Sequence, residues 1–131
     1  MKRLLTAVAL TALSSAALAQ DATITADGDG VVFVNVMTPA EGVTLDQLAV
    51  ELTEAMETEI RLQPGFRAAS VHVARDGSYV LNYAQWDNTE SVDAVVAKVQ
   101  AGELPELAEA FSMSSPEFHP YDVVSVTRAA E

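Results

Sequence analysis

The chain contains no cysteine, which excludes thiol nucleophiles, thiolate metal sites, disulfide exchange and disulfide staples at once. Basic residues are also scarce. Seven Lys and Arg stand against nineteen Asp and Glu, for a net charge of −12. Such a surface repels phosphate backbones and anionic bilayers, so nucleic acid is not an expected partner. Histidine is limited to His72 and His119, a spacing far from the close pairs that hold metals. Aromatic residues make up only 6%, and Trp86 is the single tryptophan. No apolar run approaches the roughly 20 residues that span a bilayer. There is no internal repeat and no low-complexity tract.

What is present begins with an export pattern. Lys2 and Arg3 form a positive start, Leu4 to Leu13 is a short apolar stretch, and Ala17-Leu18-Ala19 supplies the small-x-small cleavage pattern. The expectation is a signal peptide over 1–19, cleaved after Ala19, and a periplasmic or secreted protein without a membrane anchor. The leader takes two basic residues with it, which leaves the remaining chain more acidic still. Residues 20–29 are polar with Asp-Gly steps and read as a flexible lead-in. Residues 30–128 are enough for one domain and not two.

Hydrophobic periodicity gives the order of elements. Val31 to Thr38 is a β-branched run ended by Pro39 and Gly42. Thr44-Leu45-Asp46-Gln47 reads as a capping box, followed at helical spacing by Leu45, Leu48, Ala49, Leu52, Met56 and Ile60, with Pro64-Gly65 as the stop. Arg67 to Arg75 alternates as a strand. Asp76-Gly77 is a two-residue hairpin signal into the next strand. Asn88 is an N-cap candidate for a helix with the stripe Val92, Val95, Val96 and Val99, and Leu104 to Met113 reads as a further short helix. Pro116 breaks it, and Tyr121 to Arg128 is expected as the last strand. The result is α+β, a ferredoxin-like split β-α-β-β-α-β with an antiparallel sheet. The first strand is apolar on both sides, Val31 and Phe33 against Val32, Val34 and Val36. A second copy of the sheet is therefore the expected cover for the face without helices, giving a homodimer.

Along Gly77 to Glu90, Asn82, Ala84 and Trp86 share one face because side chains alternate with period two. An indole and an amide so placed could hold a flat organic molecule, by stacking and by hydrogen bonding. They could equally be a packed aromatic beside a solvated amide.

The strings Gln63-Pro64-Gly65-Phe66, His72 ahead of Asp76-Gly77, and Asn82-Tyr83-Ala84-Gln85-Trp86 resemble the antibiotic biosynthesis monooxygenase domain family. The closing Pro116-Glu117-Phe118-His119-Pro120-Tyr121-Asp122-Val123-Val124 suits it as well. The likeness spans roughly Gly30 to Arg128. It implies a dimeric α+β barrel whose protomers each hold a pocket between sheet and helices. It also implies oxidation of anthrones, quinols and related phenols by dioxygen without flavin or metal.

On that resemblance Asn82 and Trp86 match residues implicated in the anthrone-oxidising members. Asn82 would donate to a developing enolate oxygen, and Trp86 would stack on the ring system. His72 is the candidate histidine base, with a structural hydrogen bond as the competing reading. Asn35, an amide among apolar neighbours, reads as a pocket residue or a satisfied sheet amide. Phe33 and Arg67 complete the candidate substrate contacts, Arg67 with a surface ion pair as its alternative. Tyr83 faces away from Asn82, towards the expected interface. The family's haem-degrading branch carries a histidine on its second helix, where this chain reads Val95, Val96, Ala97, Lys98, which argues against haem. The functional expectation is an exported cofactor-independent monooxygenase of quinols, anthrones or similar aromatics. The alternative is a non-catalytic periplasmic protein that binds small aromatic ligands or is associated with stress.

Overall fold

A computed structural model describes residues 21–24 and 30–131. The expected signal peptide over 1–19 lies outside the described residues. The lead-in lies partly outside them, and 21–24 carry no regular structure.

Four strands and three helices follow in the order β1 (Val31–Pro39), α1 (Leu45–Thr58), β2 (Phe66–Val73), β3 (Val80–Trp86), α2 (Thr89–Gln100), α3 (Pro105–Ser112) and β4 (Ser114–Tyr121). The strands form one antiparallel sheet in the order β2-β3-β1-β4. β3 is inserted between β1 and β2, which is the split βαβ arrangement. The ferredoxin-like α+β fold expected from the sequence is the fold observed.

Local chemistry sets the helix starts. Thr44 Oγ1 accepts from Gln47 N at 3.1 Å, and Gln47 Oε1 accepts from Thr44 N at 2.9 Å, the reciprocal pair that satisfies two orphan donors. Asn88 Oδ1 accepts from Ser91 N at 3.0 Å and starts α2 immediately beyond β3. α1 ends at Thr58, earlier than Pro64-Gly65 suggests, and a single tight turn Ile60–Leu62 carries the chain onward. Gly65 has φ of +81°, and a Cβ there would collide with the Ser91 side chain. Glycine is thus needed twice over, for the left-handed backbone and for the close approach of α2.

All three helices cover the inner face of the sheet. Met37 and Val80 meet Leu48, Leu52, Ala55, Leu107 and Ala110 in one core, each at most 4% exposed.

Two expectations are corrected. The β2–β3 connection is a six-residue loop, 74–79, and not a two-residue hairpin. Gly77 N donates to Ala74 O, Ala74 N donates to Tyr79 O, and Asp76 Oδ1 accepts from Ser78 N. These local bonds stabilise a wider turn, with Gly77 at φ +81°. The last strand is Ser114–Tyr121 and not Tyr121 to Arg128, although it contains Pro116 and Pro120. β4 is an edge strand paired only with β1. Two prolines an even number of residues apart can both turn their nitrogens outward, where no ladder bond is lost.

Candidate active site

β3 alternates without interruption between covered and partly open positions. Val80, Asn82, Ala84 and Trp86 are 0, 2, 3 and 4% exposed on the inner face, whereas Leu81, Tyr83 and Gln85 stay half-buried on the outer one. Trp86 stands opposite both Val31 on β1 and Phe66 on β2. The Phe66 and Trp86 rings meet edge to face, with centroids 5.2 Å apart. This arrangement fixes the indole plane. Ala84, between Trp86 and Asn82, has only a methyl group and leaves space above the sheet.

A cavity of about 400 Å³ occupies that space, a size suited to a small organic ligand. Its floor is Phe33, Asn35, Asn82, Ala84 and Trp86. Met56 of α1 closes one side, Val92, Val95 and Val99 of α2 another, and Leu107 and Phe111 of α3 a third. Phe118 of β4 stands at the margin, edge to face with Phe111 at 5.2 Å. Asp93 is the lining's one carboxylate, and Gln100 joins it at the open side.

The amides on the floor are the chemically unusual feature. Asn82 is the sole polar residue in the buried core of the described chain. Asn35 is directly opposite it across the β1–β3 ladder. Asn82 Nδ2 reaches only Met56 Sδ, at 3.9 Å, a weak acceptor. Both Oδ1 atoms are buried without a hydrogen-bond partner, the two such side-chain atoms among the described residues. A buried unsatisfied amide costs about 1–3 kcal/mol, so a pair of them in one apolar cavity points to a ligand that completes them.

The candidate residues from the sequence therefore divide. Asn82, Trp86, Asn35 and Phe33 come together at the cavity. His72 does not. It pairs with Leu81, one position out of step with Asn82, and so lies on the outer face with its Nε2 2.8 Å from Ser70 Oγ. The sheet separates it from the two amides. Arg67 does not reach the cavity either. It is the extra residue of a β-bulge between Phe66 and Ala68, which turns its guanidinium towards Asp87 at 2.6 Å, both side chains about half exposed. Tyr83 faces outward, as expected. His119 is exposed on β4, 3.9 Å from Glu117, and neither histidine lines the cavity.

Two features of the site carry no sequence signal of their own. Asp93 follows the valine stripe of α2 and looks like any solvated helix residue. Phe118 is brought to the margin by a strand that its flanking prolines disguise.

Polar contacts outside the cavity hold its walls. Glu59 accepts from the backbone N–H groups of Glu106 and Leu107, both at 3.0 Å, so a carboxylate on the end of α1 caps α3. Gln63 Nε2 donates to Glu59 O at 2.9 Å, and Lys98 Nζ of α2 donates to Gln63 Oε1 at 2.7 Å. These bonds link the ends of the three helices.

No family model matches the chain. A stretch of 67 residues is 42% identical to tetracenomycin-F1 monooxygenase of Streptomyces glaucescens, spanning 50% of this chain and 57% of that protein. Among solved structures, SnoaB of Streptomyces nogalater, described as a cofactor-independent oxygenase, superposes with a TM-score of 0.59 at 23% identity, over 79% of this chain and 97% of its own. The monooxygenase ActVA-Orf6 of Streptomyces coelicolor, in complex with the ligand nanaomycin D, gives 0.53 at 23%, over 78% and 94%. The sequence match and the shared fold together bear out the resemblance to the antibiotic biosynthesis monooxygenase family.

Proposed function

We infer that the protein is an oxygenase that inserts one atom of dioxygen into a quinol, anthrone or similar aromatic without a resident cofactor. The observation that carries this reading is the pair of unsatisfied amides on the floor of an apolar cavity beside Trp86. SnoaB, of the same fold, is described as cofactor-independent, and ActVA-Orf6 holds a small-molecule ligand.

The chemistry suits such a cavity. Triplet dioxygen reacts poorly with closed-shell organics, but an electron-rich phenolate or carbanion can donate one electron to it. The protein must favour the deprotonated substrate and keep water away. Asn82, rotated so that its amide donates, stabilises the developing enolate oxygen. An oxyanion donor of this kind is worth about 2.7–4 kcal/mol. Trp86 and Phe33 hold the ring system. Oxidation of an anthrone methylene to a carbonyl consumes one dioxygen and releases one water, with all four electrons drawn from the substrate.

The active unit is proposed to be a homodimer formed through the outer sheet faces. Val34, Val36, Leu81 and Tyr83 are apolar or aromatic and only half-buried there in a single protomer. Export is proposed from the Lys2–Ala19 pattern, and a purified mature chain beginning at Gln20 would support it.

Oxygen consumption by chelator-treated protein with an anthrone and a series of quinols tests the reading. Uptake above the uncatalysed rate that falls in Asn82→Ala and Trp86→Phe is the expected outcome. One observation favours a second reading, binding without turnover. The lining carries no histidine, and its one carboxylate, Asp93, is on an exposed stretch of α2. Quenching of Trp86 by an aromatic with no oxygen uptake would select that alternative.

A further inference from the structure

The two amides of the cavity floor present the same unsatisfied atom. Asn35 and Asn82 are direct cross-strand neighbours, which places their Cβ atoms about 4.5–5.5 Å apart. Carboxamides at that spacing can satisfy each other, the Nδ2 of one donating to the Oδ1 of the other. Here they do not. Asn82 Nδ2 turns to Met56 Sδ, and both Oδ1 atoms are left buried without a donor. Apart from Asp93 and Gln100 the remaining lining is apolar, and neither of these side chains bonds to either oxygen.

We propose that Asn35 and Asn82 act as a paired acceptor that selects aromatic compounds carrying two hydroxyl groups on one edge, in ortho or meta relation. Each hydroxyl donates to one Oδ1 while the ring lies against Trp86 and Phe33. A compound with one hydroxyl leaves the second oxygen buried and unsatisfied. A compound whose hydroxyls are methylated satisfies neither. Asn35 is thereby a specificity residue, distinct from the stabilising role given to Asn82. As the substrate loses a proton, the Asn82 amide rotates to donate, and Asn35 continues to hold the second hydroxyl in register. This inference rests on the reading of the cavity as an aromatic site.

The test is anaerobic titration followed by Trp86 fluorescence, with 1,3-dihydroxynaphthalene, 1-naphthol and 1,3-dimethoxynaphthalene as probes. The wild-type protein is expected to bind the diol about three- to tenfold more tightly than 1-naphthol, the value of one added hydrogen bond. The dimethoxy compound should bind no better than 1-naphthol. In Asn35→Leu the preference for the diol should vanish, the ratio of diol to 1-naphthol affinity falling to about one. Asn35→Thr keeps an acceptor hydroxyl and should retain part of the preference, and it decides the matter if the leucine variant melts early. Equal binding of diol and 1-naphthol by the wild type, or an undiminished preference in the variants, overturns the amide pair alone. Failure of all three compounds to bind overturns it together with the aromatic reading of the cavity.

Discussion

The two faces of β3 are built from adjacent residues and have different fates. On the inner face Val80, Asn82, Ala84 and Trp86 are sealed beneath helices, and the one amide among them lacks a partner for its oxygen. On the outer face Leu81, Tyr83 and Gln85 remain partly open, and their polar atoms find neighbours, as in Gln85 Nε2 to Tyr83 OH at 3.4 Å. His72, also outward, is bonded to Ser70. A polar group that folding leaves unsatisfied among apolar neighbours costs stability, and that cost is what a ligand can recover. Chemistry is therefore expected inside and association outside.

The largest effect belongs to the inner face. Trp86→Ala removes a nearly buried indole and its edge contact with Phe66, and should destabilise the fold by about 3–5 kcal/mol in denaturant titrations followed by circular dichroism. Asn82→Leu sharpens the contrast, because stability and activity should move in opposite directions. Removing the orphaned amide should leave stability unchanged or raise it by about 1 kcal/mol, while oxygen uptake falls by about 10²–10³. Loss of both together would mean that Asn82 is structural.

On the outer face, His72→Ala should keep oxygen uptake within about twofold, whereas Leu81→Asp should abolish the proposed dimer in light scattering. A loss of uptake in His72→Ala beyond about tenfold would break the division between the faces and bring the outer side into the reaction.

Smaller effects are expected at the surface. Arg67→Ala breaks an exposed ion pair and should cost no more than about 1 kcal/mol, with substrate KM unchanged. Glu51, on α1, has its carboxyl raised above the usual range, first by partial burial and then by the nearby Glu106 and Glu54. A raised carboxyl disfavours the ionised folded state. Its stabilising protonated form is complete below the ordinary carboxylate range and is lost as pH rises through the raised value. Glu51→Gln should thus increase Tm at pH 7, and the increase should disappear in acid.

Much of this division is legible before folding. The alternation of Asn82, Ala84 and Trp86 assigns them to one face, because successive strand side chains point oppositely whatever the sheet packs against. Capping at Thr44 and Asn88 is equally local, since the bonding partners lie within three residues. Where the reading fails, distant parts of the chain decide. Residues Ser114–Tyr121 look like a loop because of their prolines, and become a strand because β1 offers an edge. His72 and Arg67 look like site residues because their chemistry suits a site. Strand parity sends one to the outer face and a bulge turns the other to Asp87.

The sequence by itself determined the order of the elements, the first turns of α1 and α2 and the face on which the Asn82–Trp86 pair lies, since each depends on backbone geometry or contacts a few residues apart. Only the tertiary structure decided that Asn35 stands opposite Asn82, that Glu59 caps α3 from 47 positions earlier in the chain, and that an apolar cavity forms above Ala84. Those depend on strand register and helix packing, which no local pattern encodes, because register is a relation between strands and not a property of either one.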